Sequence, residues 1–105
     1  VMKSTDLIVG EYYKIMKGDT FLITKNEGPD KDGRGDIDLE RIKGSCISNM
    51  DGKWEYRSAT TPYIGGERAV HLVTWEERQW LDNCIAANKF IPKDRIKLKP
   101  QYEIY

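Results

Sequence analysis

The sequence predicts an α+β domain, mainly β: a small, strongly bent antiparallel sheet or partly open barrel of about five strands, with one C-terminal helix. Three observations point there. Short segments rich in β-branched and aromatic residues follow one another with turn chemistry between them. A single stretch carries helical spacing, and it comes late in the chain. Strands and helices do not alternate, which argues against a doubly wound parallel sheet.

Residues 11–17 (EYYKIMK) and 20–25 (TFLITK) alternate as strands do, with Tyr13 and Ile15 on one face and Phe21 and Ile23 on another. Gly18-Asp19 is the turn between them. A polar loop spans 26–36. The apolar positions of 37–48 are less regular, and Gly44 within it suggests a bulge or sharp bend. Asp51-Gly52, flanked by Ile47, Trp54 and Tyr56, has the chemistry of a two-residue hairpin whose central positions both need positive φ. Pro62 ends the Trp54 strand, Gly65-Gly66 turns the chain, and 68–73 forms the fifth strand segment. Thr74 with Glu77 has the form of a capping box, so a helix starts there and runs over about 75–88. Trp80, Leu81, Cys84 and Ile85 line its inner face. Pro92 prevents continuation. In the tail, Lys93, Arg95, Lys97 and Lys99 alternate with Asp94, Ile96 and Leu98, so a strand there carries a wholly basic face. Sequential hairpins and one late helix suit a bent sheet or a partly open barrel of SH3-like or OB-like kind.

The 105 residues fit one domain with one core. Val1 precedes Met2, the expected natural start, so the domain is placed at 2–105: strands about 11–73, helix about 75–88, basic tail 93–105. Hydrophobic residues make up 39% and charged residues 32%, which predicts a polar surface around a modest core. Seventeen basic and seventeen acidic residues cancel, so no overall field steers the molecule to nucleic acid or anionic lipid. Any such binding needs a local patch. No apolar run reaches the roughly 18 residues of a membrane span and no signal peptide pattern is seen. The expected compartment is cytoplasmic, with Cys46 and Cys84 as free thiols.

Several motifs suggest chemistry and lack a necessary part. The loop from Asp30 through Asp32, Gly33, Gly35, Asp36 and Asp38 has partial EF-hand spacing, but Arg34 and Arg41 stand where calcium needs oxygen ligands. No metal site and no cofactor is expected. Arg34-Gly35-Asp36 is what any exposed turn uses. His71 is the only histidine, and neither cysteine has an evident activating neighbour in sequence. Asp38 and Glu40 share a strand face without a third ligand. Gly33 and Gly35 lack the lysine and helix of a phosphate loop.

Residues 74–91 (TWEERQWLDNCIAANKFI), with Gly10-Glu11-Tyr12-Tyr13-Lys14, resemble small uncharacterised bacteriophage accessory proteins. In these an "EE..WL..CI.A.KF" helix follows a β domain beginning with a "G-x-Y-Y-K" strand. The likeness covers about a fifth of the chain. Trp75 stands where proline is usual and Asn88 where glycine is usual. The resemblance implies a phage protein in the bacterial cytoplasm, brings no active site, and suggests stoichiometric binding to a host protein, defence proteins among them.

The expectation is therefore a non-enzymatic protein that binds and inhibits or modulates a host protein. Aromatic and arginine anchors dominate interface energetics, which nominates Tyr12, Trp54, Tyr56, Arg57 and Tyr63. Because Tyr12 and Tyr13 point to opposite faces, one of them is expected to be exposed. Trp54 and Tyr56 point the same way along a strand, a pattern that favours a core over an exposed platform. The alternative is a nucleic-acid-binding small barrel using Lys93, Arg95, Lys97 and Lys99. A small enzyme around Cys46, Cys84 or His71 is the third expectation.

Overall fold

The alternating segments fold as a central hairpin to which further strands add on both sides. In the computed structural model, which describes residues 3–31 and 33–100, β1 (Tyr12–Lys17) turns at Gly18-Asp19 into β2 (Thr20–Lys25). The strands β3 (Pro29–Lys31), β4 (Ile37–Ile42), β5 (Gly44–Met50), β6 (Lys53–Thr60) and β7 (Ala69–Leu72) follow. Five make one antiparallel sheet in the order β6-β5-β2-β1-β7, and β3 with β4 forms a separate ribbon. Strands β6 and β7 end the sheet on opposite sides, so it is an open sheet and not a closed barrel.

Asp51 and Gly52 both have positive φ (57° and 77°) in the β5–β6 hairpin, as its sequence requires. The stretch 37–48 is not one strand. It breaks at Lys43, because the chain must pass tightly against β2: a Cβ on Gly44 would collide with the Lys25 carbonyl oxygen. A register shift between Gly44 and Cys46 marks the bend. Part of the expected polar loop is strand β3. Asn26, almost fully buried, organises its entry by donating to the Ile8 carbonyl (3.0 Å) and accepting from the Gly28 N–H (3.0 Å). Between Pro29↔Ile42 and Asp30↔Asp38 the register jumps, and the freed part of β4 bonds elsewhere. Arg41 bridges Tyr63, the Ile64 N–H donates to the Glu40 carbonyl (2.8 Å), and the Ile42 N–H donates to the Pro62 carbonyl (3.2 Å).

Both sheet faces carry core. On one, Tyr12, Ile23 and Ile47 pack under α1 (Trp75–Ala87) against Trp80, Leu81 and Cys84. On the other, Ile15 meets Ile42 and Ile64, with Leu22 and Val70 beside them. Tyr12 and Tyr13 are consequently both buried, at 5% and 6% exposure, which corrects the expectation that one of them faces water. Alternation places them on opposite faces, but neither face of β1 is bare.

The helix begins with the expected box: Thr74 Oγ1 accepts from the Glu77 N–H (3.1 Å), and Glu77 Oε1 accepts from the Thr74 N–H (2.8 Å). It ends at Asn88, which takes the left-handed conformation (φ 52°). Glu77 also receives Lys14 Nζ at 3.0 Å. Burial raises the Glu77 carboxyl pKa, but the Thr74 and Lys14 donors outweigh it and the net shift is downward. A carboxyl held below its ordinary value stabilises the fold above that value and loses the contribution as pH falls through the folded-state pKa. Glu77→Gln is thus expected to cost about 1–2 kcal/mol at pH 7, with the gap from the parent narrowing below about pH 4. Urea unfolding of both proteins across this range checks it, and a constant gap contradicts it.

The tail is not the basic strand its alternation suggests. Lys93–Arg95 is a single 3-10 turn and 96–100 is irregular. Its backbone is used by the helix: the Lys99 carbonyl accepts from Trp75 Nε1 (2.9 Å) and Gln79 Nε2 (2.8 Å), and the Lys99 N–H donates to Gln79 Oε1 (2.7 Å). The tail residues 101–105 lie outside the described residues.

Candidate functional site: a cation-rimmed groove

The helix packs on one face of the sheet, and a concavity opens on the other. There, residues of five strands (β1, β2, β4, β5 and β6) and the segment before β7 enclose an open groove of about 500 Å³, a volume within the ~300–1,000 Å³ typical of ligand sites. Ile15, Leu22, Cys46, Ser48 and Met50 form its floor. Lys17, Arg41, Arg57 and Arg68 stand around it, with Tyr63 among them. Among the described residues, no carboxylate lines it. In a chain of zero net charge this is a strong local asymmetry.

The four cations differ in how far they are already neutralised. Arg57 Nη2 lies 2.8 Å from Glu55, and Arg41 Nε lies 3.6 Å from Asp38 while its Nη1 donates to the Thr61 carbonyl (2.9 Å). Among the described residues, Lys17 and Arg68 have no ion-pair partner. Arg68 instead lies over the Tyr63 ring at 4.5 Å, with Arg41 at 5.4 Å from the same ring. The Tyr63 hydroxyl donates to Glu40 (3.2 Å). Desolvation and that carboxylate push its pKa up, so it stays a donor. The rim is therefore organised around Tyr63, which β4 holds through the Arg41 bridge.

The floor is chemically quiet. Cys46 is 3% exposed and its sulfur contacts Thr60 Oγ1 at 3.4 Å. Burial pushes its thiol up, away from the thiolate that a nucleophile needs. Cys84, on the inner face of the helix, is likewise raised by burial. His71 is exposed on the edge strand β7, on the opposite face from Cys46 and separated from it by β1 and β2. Three strand spacings of roughly 4.8 Å forbid a Cys46–His71 couple.

Of the five nominated anchors, the structure brings only Arg57 and Tyr63 to this groove. Tyr12, Trp54 and Tyr56 belong to the helix-side core. Tyr12 donates to Asp82 with Arg78 over its ring, and Trp54 packs on Trp80 (centroids 4.9 Å) and Phe90 (5.5 Å). The five do not form one surface, because strand parity sends 54 and 56 to one face and 57 to the other. Lys93 pairs with Glu76 (3.4 Å), and Lys93, Arg95, Lys97 and Lys99 lie on no common strand face. In the acidic loop, Asp30 opposes Asp38, Asp38 pairs with Arg41, and Asp36 with Arg34 (3.7 Å). Asp32 lies outside the described residues. Among the described residues no three His, Cys, Asp or Glu side chains gather as metal ligands, and no helix is long and apolar enough to cross a membrane.

The sequence passes over Lys17, Arg41 and Arg68. A signal was present for two of them: Lys17 is in phase with Ile15, and Arg68 with Val70, so each shares a face with buried apolar residues. Comparisons of the chain with protein-family models, with curated proteins and with solved structures find no match.

Proposed function

We propose that this protein is a non-enzymatic binding module that acts by occupying a macromolecular partner, as an inhibitor or modulator of a host protein, and that the groove is its contact surface. The observation that carries this is a lining, among the described residues, of four cations and no carboxylate around an apolar floor. Such a surface offers burial together with unmet charge, the combination that gives affinity and orientation at interfaces. The raised thiols and the isolated histidine support a binding role over a nucleophilic one. Trp54 and Tyr56 pack partly buried against the helix-side core, which supports a protein partner over a single strand that would stack on them.

The test compares three tagged proteins: the parent, the double variant Arg57→Glu/Arg68→Glu, and Lys89→Glu, whose exposed side chain follows the helix. Each is used to capture material from bacterial lysate with and without nuclease. Expected is a host protein retained in stoichiometric amount by the parent and by Lys89→Glu, resistant to nuclease, and at least tenfold depleted with the double variant. Equal capture by the double variant contradicts the groove as contact surface. Capture that disappears with nuclease moves the assignment to nucleic acid, with its steep salt dependence.

A further inference from the structure

The groove's own geometry narrows the partner chemistry, provided that the groove is the contact surface proposed above. The two unneutralised cations are neighbours. Met16 pairs with Ala69 across β1 and β7, so one step further Lys17 lies opposite Arg68, and both are in phase with Ile15, which lines the groove, and with Val70, which packs beside it. Two cations side by side, with no carboxylate among the described lining residues, form a corner that a single anionic group can satisfy. Tyr63 holds the Arg68 guanidinium from the side.

Arg57 stands at the other end. Across the sheet it is opposite Cys46, which is opposite Thr24, which is opposite Tyr13, four residues from Lys17 along β1. Three strand spacings of about 4.8 Å and four residue steps of about 3.4 Å put the Lys17 and Arg57 backbones roughly 20 Å apart. Ile15, Leu22, Cys46 and Ser48 occupy the ground between. A compact anion reaches one end only. An extended chain of about seven residues spans both, and its alternate side chains fall on the groove.

We infer that the groove receives an extended acidic segment of a partner protein: one carboxylate at the Lys17–Arg68 corner, apolar side chains over Ile15 and Leu22, and a second carboxylate that shares Arg57 with Glu55. The probe is a labelled heptapeptide, Glu-Ser-Leu-Ser-Leu-Ser-Glu, whose odd positions share one face. Its binding to the full chain is measured by fluorescence anisotropy beside three others: the same peptide with both Glu replaced by Lys, the same with both Leu replaced by Ser, and an oligothymidylate of equal length. Expected is saturable binding of the first, at least tenfold weaker binding of each of the others, and at least a tenfold loss with Lys17→Glu or Arg68→Glu. Lys17 is exposed, so its variant keeps the fold even where Arg68→Glu disturbs the Tyr63 contact. Tighter binding of the oligothymidylate, equal binding of the Lys peptide, or no binding of the acidic peptide overturns the inference. If the acidic peptide fails while lysate capture remains dependent on Arg57 and Arg68, the contact surface stands and only the segment chemistry is wrong.

Discussion

Replacing Trp80 by alanine is expected to destabilise the protein by about 3–5 kcal/mol, the range for emptying a large aromatic site in a core. The side chain is 7% exposed and packs against both Trp54 (4.9 Å) and Phe90 (6.0 Å), which stack on each other (5.5 Å), and so ties the helix to the edge strand β6. Its indole N–H donates to the Ile91 carbonyl (2.7 Å), the bond that turns the chain back after the helix. Truncation removes the ring contacts and leaves that carbonyl short of a donor in a partly buried place, so cavity and polar costs add. A domain of this size loses roughly 4 °C or more of melting temperature per kcal/mol, which makes the effect plain in a thermal melt. Trp80→Phe keeps most packing and loses the bond, so it is expected to fall between. A loss below about 1 kcal/mol for Trp80→Ala contradicts the view that this aromatic cluster anchors the helix.

Gly44→Ala is expected to cost about 3 kcal/mol or more, well above the usual alanine-for-glycine effect. Its φ is not positive, so strain is not the reason. The cause is space: the added methyl meets the Lys25 carbonyl and, at 2.7 Å, Thr24 Oγ1. The obstacle is backbone of a central strand, which cannot rotate aside, so β5 must move away from β2. That movement strains the bond from Thr60 Oγ1 to the Gly44 carbonyl (2.7 Å) and shifts β4, which carries Arg41 to the groove rim. Stability and partner binding are therefore expected to fall together. Urea unfolding and peptide anisotropy on one preparation check this, and a stability change under about 1 kcal/mol contradicts it.

Local chemistry made much of the fold legible. Asp51-Gly52 reads as a hairpin because its positive φ values are tolerated by few other pairs, and Thr74 with Glu77 reads as a helix start because each satisfies the other's N–H. Gly44 reads as a bend. What local chemistry does not carry is pairing at a distance. Nothing in residues 37–42 says that Glu40 and Arg41 bond to the segment 62–64 and not to β3 while Ile42 meets both, and that arrangement brings Ile42 and Ile64 onto Ile15. Tyr12 is covered by the helix, and the Tyr13 hydroxyl on the other face accepts from the Ile8 N–H (2.8 Å) of the N-terminal segment, a contact that the strand pattern does not carry either. The site was half legible for the same reason. Arg57 and Tyr63 were found by residue type, whereas Lys17 and Arg68 become one corner only through the β1–β7 register, which joins positions 51 residues apart. Choosing anchors by type also selected Trp54 and Tyr56, whose strand parity turns them to the helix.

The claim that matters most is that the helix-free face of the sheet is the contact surface. Titrating the acidic heptapeptide into 15N-labelled protein and following the backbone amide resonances tests it directly. Shifts are expected to concentrate at Ile15, Lys17, Leu22, Ser48, Arg57, Tyr63 and Arg68, with the helix residues from Glu76 to Ala87 unmoved. Shifts concentrated on the helix or along the outer edge of β7, with the groove silent, would contradict it.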